Sequence, residues 1–180
     1  MKKVFRAQVV AAILFILIAA VIFIYALAFM TDYENLFGLM LPANESVVVF
    51  HDRILQTFNK GILVWAIVGM AGVACTFIME TLTKVPDRFA LIFMAVMLGA
   101  CVYGSIYALQ NLPAIMSYYR TMDISSIHLE GIQDYTLKFT TFYIGIGLYA
   151  AQLVICALYL ASLIVSHTTF VKLRKRGEVA

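Results

Sequence analysis

From Phe139 to Ser166 the chain runs 28 residues without a charged side chain. A helix needs about 20 apolar residues to cross the hydrocarbon of a bilayer, and the core helix of a soluble domain rarely stays uncharged so long. Lys172, Arg174, Lys175 and Arg176 follow at once, a basic cluster of the kind retained on the cytoplasmic side of a membrane. Solvent, direction and orientation of this segment are therefore read together. Three earlier runs are equally free of charge: Ala7 to Met30, with Gln8 as its polar residue, Gly61 to Met79, and Phe89 to Leu112. Composition agrees, at 63% apolar and 13% charged, where an ordinary globular domain carries about 25% charged residues.

The expected fold is an all-α integral membrane protein, a single domain of four antiparallel transmembrane helices with helical extensions on the outer side. The spans cover about 7–30, 61–79, 89–112 and 139–166, the outer segments 31–60 and 113–138, and the cytoplasmic segments 1–6, 80–88 and 167–180. Of the 13 Lys and Arg residues, nine fall on the cytoplasmic segments: Lys2, Lys3, Arg6, Lys84, Arg88, Lys172, Arg174, Lys175 and Arg176. Arg53, Lys60, Arg120 and Lys138 fall on the outer ones. That asymmetry places both termini in the cytoplasm, in a plasma or inner membrane. The basic head Met1 to Arg6 and the small residues around Ala26-Leu27-Ala28 also suit a signal peptide. The apolar run is too long for a signal core of about 7–15 residues, so a first membrane helix is expected.

Local signals punctuate the connections. Between Glu45 and Glu80 the only strong breaker is Gly61. One helix over that stretch would measure roughly 50 Å at 1.5 Å per residue. The surplus over a hydrocarbon thickness of about 30 Å would project outward with His51, Asp52, Arg53 and Lys60. Asn44-Glu45-Ser46 fits an N-glycosylation acceptor, although a helix N-cap is the role expected of Asn44. Leu36 to Leu41 is apolar but too short to span. Pro86 suits the first turn of the third helix, and Pro113 is expected to kink that helix or end it. Ala114 to Lys138 then forms two short helices or one kinked extension, with turn and cap chemistry at Asp123, Ser125 and Ser126.

Several functions are disfavoured. The net charge of +3 resides at the membrane flanks, not in one groove or stripe, so no nucleic-acid partner is expected. Cys75, Cys101 and Cys156 all fall inside spans and form no CxxC pair; they read as small packing residues. No Asp, Glu, Lys, Arg or His lies deep in a span, which argues against proton relays, charge-moving sensors and histidine-ligated haem. Glu80 and His167 lie near inner ends, within reach of headgroups or water. Glycine-rich phosphate loops and GxSxG elbows are missing, and no cofactor is expected.

What remains is a set of surfaces. Gln152 is the deepest strongly polar side chain, and Tyr149, Cys156 and Tyr159 share its helix face by 3-4-3 spacing. A buried amide there would seek a partner on a facing helix, worth about 0.6–2 kcal/mol. Small residues recur at Ala95 and Gly99, at Ala100, Gly104 and Ala108, at Gly69 and Gly72, and at Gly147 and Ala151. They serve either packing inside the bundle or an oligomer interface. Nine of the ten tyrosines fall in the outer half or outer connections, Tyr159 being the exception.

These features point first to a non-enzymatic multi-pass subunit or scaffold. It would dock a membrane protein partner, or a second copy, through its Tyr-rich outer half, with the lipid bilayer as its surroundings. The alternative is a transporter or channel component for a neutral or apolar small molecule, with a cavity lined by Trp65, Tyr103, Tyr107, Tyr149 and Gln152. A second alternative is an outer-face metal-dependent enzyme, with His51 and His128 joined by loop carboxylates as zinc ligands. No HxxxH or HExxH spacing supports it.

Overall fold

The computed structural model describes residues 2–36, 50–82, 85, 87–121 and 139–176, and every regular element among them is helical. Helix α1 is Lys2–Leu36; α2 is Gln56–Leu82, entered through a π-helical turn at Phe50–Leu55; α3 is Arg88–Arg120; α4 is Thr140–Lys175. All four are long and apolar enough to cross a membrane. Their 27–36 residues correspond to about 40–54 Å at the α-helical rise.

The helix ends follow from local chemistry. Asp87 sits in extended backbone ahead of α3, and its carboxylate accepts from the Ala90 N–H at 2.7 Å. One of the orphan donors of the first turn is satisfied in this way. Phe139 precedes α4 without any side-chain cap, so the start of α4 depends on what it packs against. Pro113 neither ends nor splits α3, which continues to Arg120. Proline removes the bond to the Leu109 carbonyl, yet the ring lies on the exposed side of the helix. Leu112, Ile115 and Tyr119 hold the opposite side in the core, and the Asn111 side-chain amide donates to the Tyr107 carbonyl at 2.7 Å. Pro86, Asn44, Asp123, Ser125, Ser126 and the Leu36–Leu41 side chains lie outside the described residues.

The helices form a four-cornered bundle. α1 packs on α2 and α4, and α3 packs on the same two, so α1 and α3 occupy opposite corners. The core divides between two ends. One gathers Tyr25, Phe50, Phe58, Leu112, Tyr119, Phe142 and Tyr149. The other gathers Phe15, Met79, Met94, Leu98, Cys101, Cys156, Tyr159 and Leu163. Aromatic side chains crowd the first end. Phe50 stacks on Tyr118 and Tyr119 at 5.7 Å, and Tyr119 meets Phe142 at 5.7 Å and Phe139 at 5.6 Å. The Arg120 guanidinium lies 5.4 Å from the centre of the Phe139 ring, within cation–π range. The outward faces are themselves apolar, with Val64, Ile67, Phe77, Ile92, Val96, Val154 and Leu158 all exposed.

Glycine sets how closely α2 and α3 approach. A Cβ on Gly104 would lie 2.7 Å from the Trp65 Cβ and 2.8 Å from its Cγ. The Trp65 Cβ is fixed to its own backbone, so a larger residue at 104 must push the helices apart. Gly104→Val is therefore expected to cost about 1–3 kcal/mol, read as a lower thermal unfolding midpoint of the monomer in detergent. A Cβ on Gly99 would have nothing within 4 Å, and Gly99→Val should leave that midpoint within about 0.5 kcal/mol of the parent.

Candidate functional site

Helix α4 turns one face inward along its whole length. Thr141, Phe142, Gly145, Tyr149, Gln152, Cys156, Tyr159, Leu163 and Ser166 are all buried, at the intervals of three and four that stack on one side of an α-helix. The polar members of this face meet other helices at three levels.

At the first level a single carboxylate oxygen joins three helices. Glu80 Oε1, near the end of α2, accepts from the Gln8 side-chain amide of α1 at 2.9 Å and from the Tyr159 hydroxyl of α4 at 3.1 Å. The Thr76 side chain, one turn before Glu80, is buried on the same helix. Hydrogen bonds to a carboxylate are worth about 1.5–3 kcal/mol each. At the second level the Ser105 hydroxyl of α3 donates to Gln152 Oε1 at 2.7 Å and also lies 3.0 Å from the Cys101 carbonyl. It has one proton to share between them. The Gln152 amide nitrogen rests over α2, 3.9 Å from where a Cβ of Gly69 would stand. At the third level the Tyr25 hydroxyl of α1 donates to the Thr141 carbonyl at 3.1 Å. Gly145 leaves the space for it, since a Cβ there would run into the Tyr25 hydroxyl and ring. Tyr149 meets the Tyr25 ring edge-on at 6.2 Å, and its own buried hydroxyl has no partner among the described residues.

The five residues expected to line a cavity fall into two groups. Trp65 and Tyr103 meet edge-to-face at 5.0 Å on the α2–α3 seam, and Tyr107 stacks on Phe58 at 6.3 Å along the same seam. Tyr103 is 60% exposed. Tyr149 and Gln152 are instead buried on the inner face of α4. His128 lies outside the described residues, as does the side chain of His51, whose backbone belongs to the π-helical turn. Among the described residues no group of three His, Cys, Asp or Glu could hold a metal ion.

From its place at an inner end, Glu80 is expected to reach headgroups or water; it is half-buried, and the structure also gives it partners inside the bundle. Gln8 is the polar residue of the first span, and Tyr159 the lone tyrosine of the inner half. Each is an exception at matching depth, and that shared oddity is the signal that the sequence offers. Ser105 carries no signal of its own, since a serine can satisfy its hydroxyl on its own helix. Comparisons with protein-family models, with curated proteins and with solved structures give no match.

The arrangement is chemically a set of helix clamps. Glu80→Leu would leave the Gln8 amide and the Tyr159 hydroxyl without their acceptor, at an expected cost of about 1–3 kcal/mol. Glu80→Gln keeps an oxygen in place and should lose distinctly less. In a double-mutant cycle, Gln8→Leu with Glu80→Leu should show a coupling of about 0.5–2 kcal/mol in detergent unfolding. Additive losses would mean that this contact ties nothing together.

Proposed function

We propose that this chain is a non-enzymatic multi-pass subunit or scaffold of a cell membrane, which docks a membrane protein partner or a second copy of itself. In this reading the four helices cross the bilayer antiparallel to one another. The Glu80 end faces the cytoplasm with both termini, and the Tyr-rich end faces outward. The Lys and Arg asymmetry supports that orientation.

The observation that carries the docking function is the position of two glycines. Gly61, Gly69, Gly72, Gly104 and Gly145 each have another helix or its aromatic side chain close by, whereas Gly99 and Gly147 have nothing within 4 Å. Glycine inside a helix costs roughly 0.5–1 kcal/mol relative to alanine, and here no neighbour among the described residues requires it. A second helix approaching from outside would use the missing Cβ, since small residues let backbones come close where lipid offers no hydrophobic drive. Each of the two glycines also lies one turn from an outward tyrosine. Gly99 pairs with Tyr103, 60% exposed, and Gly147 with Tyr143, 57% exposed. A smooth hollow beside a large amphipathic ring suits contact with another helix, because aromatic anchors dominate binding energy at interfaces.

The bundle interior favours this reading over a conduit within one chain, because buried side chains occupy it at each of the three polar levels. Purified in mild detergent, the protein should run as a defined multimer or bring one stoichiometric membrane partner with it. Gly99→Leu and Gly147→Leu, alone or together, should shift it at least about tenfold toward the free monomer, as loss of close helix packing at an interface predicts. A parent protein that is a lone monomer across detergents would overturn the proposal.

A further inference from the structure

A groove of about 610 Å³ opens between the start of α3 and the end of α4, lined by Val85, Asp87, Arg88, His167, Phe170, Val171, Arg174 and Lys175. Its charge is mostly positive, three cations against the one carboxylate of Asp87. Asp87 is engaged with the Ala90 N–H as the cap of α3, while Arg88, Arg174 and Lys175 are held in no ion pair among the described residues. Arg174 and Lys175 stand in the last turn of α4, where cations complement the helix dipole. Arg88 has no such reason to be there. It is the first residue of α3, where a cation is unfavourable, although the Asp87 carboxylate caps the same helix end. Two helices thus direct positive charge into one space, three cations, in excess of the one carboxylate there. An anion in the groove would relieve both.

The other walls say which anion. Val85, Phe170 and Val171 give the groove an apolar side, which a small soluble anion could not use. Phe89 beside Arg88 is turned outward, and farther along the same two helices Ile92 and Ile164 are exposed, leading from the groove onto the apolar flank of the bundle. A charged head over an apolar track is the shape of an amphiphile.

We propose that this groove is a binding site for an anionic glycerophospholipid, its phosphodiester held by Arg88, Arg174 and Lys175 and its acyl chains running out past Phe170 and Val171. Basic pockets between membrane helices on the cytoplasmic side recognise headgroups in this way. The site rests on the membrane reading given above, though not on the docking of a partner.

The test is native mass spectrometry of the full chain in detergent, titrated with phosphatidylglycerol or phosphatidylcholine, with adducts scored per chain. The parent should prefer phosphatidylglycerol, and R88Q and the pair R174Q/K175Q should each lose that preference, the pair by roughly tenfold or more. The pair K172Q/R176Q removes the same charge from the same helix end outside the groove, and should stay within about twofold of the parent. Equal losses in both pairs would replace the site with diffuse charge and overturn the proposal. So would displacement of the lipid by free glycerol 3-phosphate at equal concentration, which would mark a soluble-anion site, and so would the absence of any preference for phosphatidylglycerol. A monomer that still selects the anionic lipid counts against partner docking alone; a multimer indifferent to lipid counts against this site alone.

Discussion

One oxygen of Glu80 holds three of the four helices. That matters because, in the bilayer these helices are proposed to cross, the ordinary reason for helices to associate is weak for this chain. Its outward faces are as apolar as its core, and in hydrocarbon a leucine gains nothing by leaving lipid for protein. What distinguishes the assembled bundle is polar contact and close backbone approach. The Glu80 contact joins α1, α2 and α4; the Ser105–Gln152 contact joins α3 and α4; the Tyr25 hydroxyl joins α1 and α4. Helix α4 takes part at every level. Helix α4 is therefore the one against which the other three are registered, and the charge-free stretch that makes it long and apolar enough to cross a membrane also hides its most specific chemistry.

Glycine works in two directions on this framework. Inside, Gly104 and Gly145 each seat an aromatic side chain from the neighbouring helix, Trp65 in the first case and Tyr25 in the second. The seat at Gly145 lets the Tyr25 hydroxyl reach the Thr141 carbonyl, so a missing methyl group and a hydrogen bond are parts of one contact. Outside, Gly99 and Gly147 seat nothing among the described residues. The same residue type thus carries two meanings, separated by which way the helix is turned.

That rotation decides how much can be read from the residues alone. The four helices are legible because absence of charge over about 20 residues is a property of one segment. The shared face of Tyr149, Gln152, Cys156 and Tyr159 is legible for a similar reason, since 3-4-3 spacing fixes relative direction on one helix. Of the two outcomes expected at Pro113, a kink or an end, the helix does not end there, because the apolar residues one turn to either side can hold α3 together across the lost hydrogen bond. The partners of Gln152 and Glu80 are not legible. Ser105 and Gln8 become partners only through the order of helices around the bundle and their relative heights, and neither quantity is written in any single segment. The five aromatic and amide residues grouped as one cavity lining show the same gap. They agree in depth, but Tyr103 and Gln152 point to opposite sides of the helix wall.

The seam between α3 and α4 brings the two proposals into contact. In the interior a side-chain hydrogen bond crosses it, from Ser105 to Gln152, and Ser105 has an alternative acceptor in its own helix at Cys101. The outward glycines belong to these same two helices, and so do the cations of the groove. A headgroup bridging Arg88 of α3 to Arg174 and Lys175 of α4 would add a charged tie at the end of the seam. It would fix the two helices that carry Gly99 and Gly147 relative to each other before a partner arrives. Preorganising a surface lowers the ordering cost of binding it, so a lipid seated at one end of this bundle would strengthen docking along its flank without touching the partner.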